Sequence, residues 1–381
     1  MNRTLSSRVV LNLNSLTKAS QHAKRTLSSK TERQCSTTFS RKYSTESDSD
    51  SIFDYGDYQI VLPPENAPSG VAHFKLNDVP THIRRPRYAQ PSTDHSILPK
   101  ETLSTPIKNA TSRLKLGSDE ELRMRRACKL AKDTLNYAGY LVKPGVTPEQ
   151  IDNAVHRFIT SNNAYPSPLK YEGFPKSICT SFFIEGRNDV GSSSSRRLED
   201  GDIMNIDITV YLDAFHGDTS RTFAIGNVDR KGAHLLKTSQ EALRVGIAAC
   251  GPGKPFRAIG HAIHSFIHGS TKPESTGSYN TRPQCDDVVY PICSAFTGHG
   301  IGSKFHMRPW IIHTKNEEPE VMVPGDCFTI EPIILQTSRE DETSIWLWND
   351  GWTASTDNGA RGAVFEHTVL ITEDGVDILT G

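Results

Sequence analysis

The chain has 381 residues, of which 36% are hydrophobic, and its 43 basic and 44 acidic side chains leave a formal net charge of -1. This is the composition of an ordinary soluble protein with material for one large core or two smaller ones, and it gives no reason to expect a nucleic acid as a partner. No stretch approaches the roughly 18 to 20 consecutive apolar residues that a membrane span requires. The seven cysteines contain no CxxC pair, which argues against a zinc finger or a disulfide framework and indicates a reducing compartment.

The N-terminus differs in composition from the rest of the chain. Residues 1–42 carry nine Lys or Arg side chains and a single acid, Glu32, with many Ser and Thr residues and apolar residues at helical spacing. An amphipathic, arginine-rich and acid-poor N-terminus is typical of an organelle transit peptide. The sequence RKYSTES at residues 41–47 resembles a mitochondrial processing site with cleavage after Tyr43. We predict that residues 1–43 direct the protein to the mitochondrial matrix; the alternative is a disordered basic tail, with a cytoplasmic location as second choice.

Two segments of different character follow. Residues 44–115 are polar and rich in proline, and we predict a largely irregular N-terminal extension that lies over the core. Regular structure is predicted for residues 116–381. It begins with a long amphipathic helix, for which Ser118 is the expected N-cap residue.

The chain contains a weak internal repeat. Residues 143–159 and 251–267 read KPGVTPEQIDNAVHRFI and GPGKPFRAIGHAIHSFI, and they are identical at seven of seventeen positions. Both stretches follow a long helical segment. We therefore predict two related halves, each with two helices that lead into strands. His156 and His264 occupy equivalent positions in the repeat, and we interpret both as structural.

Two aspartates are predicted to share one face of a β-hairpin. In DIMNIDITVYLDAFHGDTSRTFAIG, residues 202–226, apolar side chains alternate with polar ones, so Asp207 points away from the core. A two-residue loop centred on either 212–213 or 213–214 would place Asp218 opposite or diagonal to Asp207, within about 5 to 8 Å. Like charges at this distance destabilise a fold unless a cation lies near, and Arg221 is the one basic candidate. The pattern favours a metal ion over an ion pair.

Further candidate ligands lie in the second half of the chain. Glu331 and Glu366 each lie within an otherwise apolar strand, where a glutamate is costly unless it is paired or binds a cation. FTGHGIGSKFH, residues 296–306, adds histidines flanked by glycines, and no good helix follows that would favour a phosphate site. Four carboxylates, one imidazole and no thiolate suit two divalent ions of the Mn, Fe, Co or Zn kind. Such a pair can activate water and polarise a carbonyl, as hydrolases do.

From about Leu122 to the C-terminus the sequence resembles the type I methionine aminopeptidases. The ordered motifs that carry the resemblance are GFPKSICTS, GDIMNIDITVYLDAFHGDTS, FTGHGIGSKFH, FTIEPI and DGWTASTDNGARGAVFEHT. The resemblance implies an α+β pita-bread fold for residues 116–381, with two pseudo-symmetric halves of helices on a curved antiparallel sheet. It also implies removal of the initiator methionine from nascent polypeptides and other peptides whose second residue is small, by a monomer that uses two divalent metal ions.

The resemblance also assigns roles to individual residues. The implied metal ligands are Asp207, Asp218, His299, Glu331 and Glu366. His306 would contact the substrate near the scissile amide and stabilise the tetrahedral intermediate, and Glu331 would also handle the proton of the attacking water. The methionine pocket would be lined by Tyr171, Phe174, Cys179 and Trp352.

One family feature is missing. After CTS the family pattern continues to a His-Gly pair whose histidine bonds the substrate amide, but residues 183–195 of this chain contain no histidine. Smaller departures are Met307 and Glu172, where relatives often carry Glu and His. The missing histidine leaves three explanations open. The protein is a weakened enzyme or a silent one that binds partners, another residue takes the place of the histidine, or the sequence contains a wrong exon boundary here. A proline-directed aminopeptidase of the same fold is a further alternative, and residues 270–291 are predicted to be a surface insertion.

Overall fold

The computed structural model describes residues 75–90, 112–183, 196–269, 288–347 and 354–381. Its helices are α1 (Asp119–Leu141), α2 (Pro148–Ser161), α3 (Arg230–Ala248) and α4 (Arg257–Ile267). Its strands are β1 (Tyr165–Pro166), β2 (Cys179–Phe183), β3 (Ile203–Leu212), β4 (Phe215–Ala224), β5 (Gly298–Gly300), β6 (Met307–Ile311), β7 (Cys327–Ile330), β8 (Ile333–Gln336), β9 (Ile345–Leu347), β10 (Ala354–Thr356), β11 (Arg361–Ile371) and β12 (Val376–Ile378). Two short 3-10 turns, Arg87–Ala89 and Tyr171–Gly173, complete the elements of the described residues.

The strands of the described residues form one large antiparallel sheet and a separate β9–β10 pair. The order across the large sheet is β1-β3-β4-β11-β7-β5-β6, with β2 added to β3 and with β8 and β12 added to β11. Strand β4, which pairs with β3 on its other side, therefore lies next to β11 from the C-terminal end of the chain. This arrangement brings strands from both halves of the sequence together at the centre of the sheet.

Helix α1 covers the first half of the sheet. Ser118 caps it as predicted, because its hydroxyl accepts the backbone N–H of Glu120 at 3.2 Å. Glu121 accepts the N–H of Gly117 at 2.7 Å, which satisfies a further donor at the helix start. The buried face of α1 packs across β3 and β4. Between helices and sheet lies an apolar core that includes Ala131, Ile151, Val155, Ile206 and Ile208, all fully buried.

The second half repeats this plan. Helix α3 packs on β11 and on α4, just as α1 packs on β4 and on α2. The repeated sequence segments, 143–159 and 251–267, contain α2 and α4 respectively. The α+β class and the two helix-pair halves that the sequence predicts are thus present. Of the repeated histidines, His156 is buried and bonded to the Ser177 hydroxyl and the Asp78 carbonyl, whereas His264 is partly exposed.

The described parts of the N-terminal extension pack on the core. Residues 75–90 contain no regular structure besides the turn at Arg87–Ala89, yet Val79 and Ile83 are buried against Tyr165. The backbone N–H of Leu114 donates to the carbonyl of Gly325 at 2.8 Å, which holds the end of the extension beside the start of β7.

Two other predicted segments lie partly or wholly outside the described residues. The insertion at 270–291 is described only for its last four residues, and these are not a surface excursion. Val288 and Tyr290 are buried, and Val289 pairs with Thr337, because this stretch adds a short bridge beside β8. Within the described part of the chain, no helix is both long and apolar enough to cross a membrane. The predicted transit peptide at residues 1–43 lies outside the described residues.

Candidate active site

The β3–β4 hairpin places the two aspartates as predicted. Its two-residue loop is Asp213-Ala214, with φ angles of 53° and 72°, as a tight hairpin turn requires. With this loop Asp218 lies directly opposite Thr209, so Asp207 is its diagonal neighbour on the same face. The Thr209 hydroxyl donates to Asp218 Oδ1 at 2.8 Å and fixes the orientation of that carboxylate.

The predicted competitor for a metal ion, Arg221, faces the other way. Side chains alternate along β4, so Arg221 lies on the face opposite to Asp218. There it is exposed, and its guanidinium carbon lies 5.7 Å from the centre of the Phe223 ring. The two aspartates therefore do not obtain their counter-charge from this arginine.

His299 and Glu366 join Asp218 at the centre of the sheet. Glu366 in β11 pairs with Ser220 in β4, and the backbone N–H of His299 in β5 donates to the Thr329 hydroxyl of β7 at 3.0 Å. One ligand-type atom each from Asp218, His299 and Glu366 lies within 4.8 Å of the other two, and all three side chains are buried. Strands from both halves of the chain thus contribute to one cluster.

Glu331 completes the cluster from a position that the sequence pattern misplaces. The residue is not inside a strand, because β7 ends at Ile330 and β8 begins at Ile333, and Pro332 between them interrupts the ladder. Glu331 Oε1 lies 3.7 Å from His299 Nε2 and accepts the Thr329 hydroxyl at 3.0 Å. At this break Glu331 keeps part of its side chain accessible.

Two residues that support the cluster were not identified from the sequence. Thr329 bonds both His299 and Glu331 through one hydroxyl. His313, which is buried, accepts the backbone N–H of Glu331 through Nε2 at 3.1 Å. The sequence offers only slight indications of these two residues: Thr329 is a polar residue within the apolar run CFTI, and His313 ends the run RPWIIH.

The electrostatics of the cluster call for a cation. Burial raises the pKa of Asp207 to about 6, and burial together with the Asp207 charge raises the pKa of Glu331 to about 8. Burial and the neighbouring carboxylates raise the pKa of Asp218 and of Glu366 well above their ordinary values. Burial also lowers the pKa of His299 to about 4, so the imidazole is neutral and free to bind a metal ion.

The donor set fits divalent metal ions. Asp207 Oδ1 is buried and has no hydrogen-bond partner among the described residues, which leaves one carboxylate oxygen available as a ligand. Carboxylate oxygens with one imidazole nitrogen suit Mn, Fe, Co or Zn. A bound cation would also permit all four carboxylates to ionise together, since it supplies the missing positive charge.

Residues predicted to contact substrate lie beside this cluster. The ring centres of His299 and His306 are 4.2 Å apart, and His306 Nδ1 is 3.0 Å from the Tyr171 hydroxyl. Cys179 in β2 pairs with Asp207 in β3, which places it at the same end of the hairpin as the carboxylates. Phe174 follows the turn that holds Tyr171 and is partly exposed. Trp352 and the segment that lacks the expected histidine lie outside the described residues.

Comparisons with known proteins agree with this geometry. The profile of metallopeptidase family M24 matches residues 122–373. The chain belongs to metallopeptidase family M24.

Several M24 proteins are similar to this chain over most of its length. Methionine aminopeptidase 1B, chloroplastic, of Arabidopsis thaliana is 44% identical over 302 residues, which cover 79% of this chain and 72% of that protein. Methionine aminopeptidase 1D, mitochondrial, of Homo sapiens is 41% identical over 326 residues, which cover 85% of this chain and 84% of that protein. The crystal structure of the methionine aminopeptidase from Rickettsia prowazekii superposes with a TM-score of 0.57 at 36% identity, covering 69% of this chain and 97% of that chain.

The M24 assignment accounts for the architecture and the cluster together. M24 proteins are metallopeptidases with the pita-bread fold, in which helices pack on a large antiparallel sheet, and they use divalent metal ions. The cluster of carboxylates and His299 at the centre of the sheet is the candidate metal site of this M24 chain.

Proposed function

We propose that this protein is a methionine aminopeptidase, which hydrolyses the first peptide bond of chains that begin with methionine followed by a small residue. The observation that carries the proposal is the convergence of Asp218, His299 and Glu366 at the centre of an M24 fold, with Asp207 and Glu331 beside them. The relatives named as methionine aminopeptidases support the choice of substrate. Its substrates are nascent polypeptides and N-terminal methionine peptides.

The five clustered side chains are the proposed ligands of two divalent ions of Co, Mn, Fe or Zn, namely Asp207, Asp218, His299, Glu331 and Glu366. The bound ions would supply Lewis-acid chemistry, which lowers the pKa of water and polarises the peptide carbonyl. Asp207 contributes its Oδ1, which has no hydrogen-bond partner among the described residues. The Thr209 hydroxyl orients the Asp218 carboxylate.

Glu331 and His306 act on the substrate side in this proposal. Glu331 takes the proton of the attacking water and passes it to the leaving amine, a role that suits its partial accessibility. When the Tyr171 hydroxyl donates to His306 Nδ1, the proton of the imidazole is on Nε2, from which it can be donated to the oxygen of the tetrahedral intermediate. Tyr171, Phe174, Cys179 and Trp352 form the proposed methionine pocket.

The same proposal assigns a role to each of the three segments of the chain. Residues 1–43 are the transit peptide of a mitochondrial matrix protein, residues 44–115 are its extension, and residues 116–381 are a monomeric catalytic domain. The names of the human and zebrafish relatives, both mitochondrial, support this location.

Release of free methionine from a Met-Ala-Ser peptide tests the function. The full chain and a form that begins at Ser44 are titrated with Mn²⁺ or Co²⁺, and we expect release that depends on metal. Asp218→Asn should abolish it by removing a ligand charge without a change of shape. Asp133→Asn, which alters only an exposed ion pair with Lys129, is the matched control and should retain activity.

The absence of a histidine from residues 183–195 favours one second candidate, a protein that binds metal and peptide but has little or no activity. Two metal ions per chain without methionine release would support it. Release of the first residue from Xaa-Pro peptides in place of Met-Ala-Ser would instead indicate a proline-directed aminopeptidase. Either result would refute the proposed function.

A further inference from the structure

The N-terminal extension reaches the residues around His306 through a stack of aromatic rings. Tyr88, from residues 75–90, lies nearly parallel to His216, with ring centres 6.4 Å apart and an interplanar angle of 22°. His216 stacks on Phe305 at 5.4 Å and 9°, and Phe305 stacks on His306 at 4.1 Å and 15°. Four rings in series thus connect the extension to the imidazole that is proposed to contact substrate.

Tyr171 joins the two ends of this stack. Its ring meets the Tyr88 ring edge-on at 5.0 Å and the Phe305 ring at 4.8 Å, while its hydroxyl is 3.0 Å from His306 Nδ1. Offset and edge-to-face contacts of aromatic rings are directional, so each ring restricts the orientation of the next. Two routes of contacts therefore lead from Tyr88 to His306, one through His216 and Phe305 and the other through Tyr171.

Tyr171 begins a tight hydrogen-bonded turn, in which its N–H donates to the Pro168 carbonyl at 3.0 Å and the Phe174 N–H donates to the Tyr171 carbonyl at 2.9 Å. Its neighbours Lys170 and Glu172 have φ angles of 67° and 49°, in the left-handed region that is unfavourable for residues with a side chain. The turn is only three residues long. The backbone hydrogen bonds of the turn do not set the side-chain torsions, so the orientation of the Tyr171 ring depends on the side chains packed around it.

Tyr88 itself is fixed at both ends. Its hydroxyl donates to the carbonyl of Ser167 at 2.6 Å, and Ser167 in turn bonds His216 Nδ1 through its own hydroxyl at 2.8 Å. The Tyr88 ring also packs against an apolar cluster that contains Ile83 and Leu169. A side chain anchored in this way can support Tyr171 and His216 from outside the catalytic domain.

We propose that Tyr88 is a positioning residue of the extension, which orients His306 for the reaction through Tyr171 and the His216–Phe305 stack. The proposal rests on the proposed function, because it takes His306 as the side chain that acts on the substrate. It gives the extension a catalytic purpose besides covering the core.

Steady-state kinetics of the full chain with Met-Ala-Ser tests the proposal. Tyr88→Leu removes the ring, and we expect kcat to fall about tenfold with an unchanged metal content, since small displacements of catalytic groups have large effects on rate. Tyr88→Phe retains the ring and should keep kcat within about twofold of the wild type. Ile159→Ala is the control for packing, because Ile159 in α2 is fully buried in the separate core between the helices and the sheet; it should lower the melting temperature and leave kcat unchanged.

A second comparison separates positioning from general weakening. In a His306→Ala background, Tyr88→Leu should cause no further loss of kcat, because the side chain that it orients is gone. An unchanged kcat for Tyr88→Leu alone, or the same fold-loss in both backgrounds, would overturn the proposal.

Failure of the proposed function would be recognised separately, as a wild type that releases no methionine. The contact itself is then tested by the imidazole ¹H–¹⁵N NMR signals of His306, assigned by their loss in His306→Ala. These signals should shift in Tyr88→Leu and remain in place in Ile159→Ala. Signals that do not respond to Tyr88→Leu would refute the positioning role whatever the substrate.

Discussion

Thr329 offers a direct test of how the candidate metal site is built, because one hydroxyl contacts two proposed ligands. Its oxygen accepts the backbone N–H of His299 at 3.0 Å and its O–H donates to Glu331 Oε1 at 3.0 Å. Thr329→Val keeps the shape of the side chain and removes both bonds. The side chain is fully buried, so no water replaces the hydroxyl without a local rearrangement.

The magnitude follows from these two bonds. A buried N–H left without a partner costs about 1–3 kcal/mol, so we expect the free energy of unfolding to fall by that amount. Loss of a bond that orients a metal ligand typically weakens metal affinity about 10–100-fold, and we expect this range for Mn²⁺. Isothermal titration calorimetry measures the affinity, and urea denaturation measures the stability.

A matched variant distinguishes the site from the sheet. Thr222 in β4 also bridges through its hydroxyl, accepting the N–H of Val364 at 2.9 Å and donating to the Val364 carbonyl at 2.8 Å. Thr222→Val should therefore reduce stability to a similar extent and leave Mn²⁺ affinity close to that of the wild type. Thr329→Ser, which keeps the hydroxyl, should retain most of the affinity. Equal Mn²⁺ affinities for Thr329→Val and Thr222→Val would refute the reasoning.

Three further predictions concern charge and backbone strain. Asp229→Asn keeps the cap of α3 but removes the carboxylate charge that pairs with the buried Arg361 guanidinium, so it should reduce the free energy of unfolding by about 3–5 kcal/mol. Urea denaturation measures this loss, and a loss below about 1 kcal/mol would contradict a buried ion pair. The pKa of Glu331 in the folded protein is raised to about 8, so the folded state binds a proton that the unfolded state has released. The stability of EDTA-treated protein should therefore fall as the pH rises from about 6.5 through 8, and Mn²⁺ should abolish this pH dependence. A metal-free stability that rises with pH over this range would contradict the raised pKa. Lys170→Gly relieves a φ of 67° and should raise thermal stability by about 0.5–1 kcal/mol, whereas an unchanged or lower melting temperature would show that the turn is not strained.

Local patterns in the sequence predicted the fold class and the identity of the clustered residues. Alternation in β3 placed Asp207 on the face away from the core, and the short loop before Asp218 limited the pair to opposite or diagonal positions. These inferences succeed because the period of a strand and the length of a hairpin loop are properties of neighbouring residues. The recurrence of segments 143–159 and 251–267 indicated two helix-pair halves for the same reason.

Tertiary structure decided what the local patterns could not. Glu331 was predicted inside a strand, but pairing of β11 with both β7 and β8 leaves it at the break between them. The supporting bonds of Thr329 and His313 depend on which strands become neighbours. The stack from Tyr88 to His306 joins residues 218 positions apart, which no periodicity connects. The sequence by itself determined the chemistry of the side chains and the helices and strands that carry them. Which of these side chains meet was determined only by the tertiary structure, because the two halves of the chain are distant in sequence and are buried against one another only in the fold.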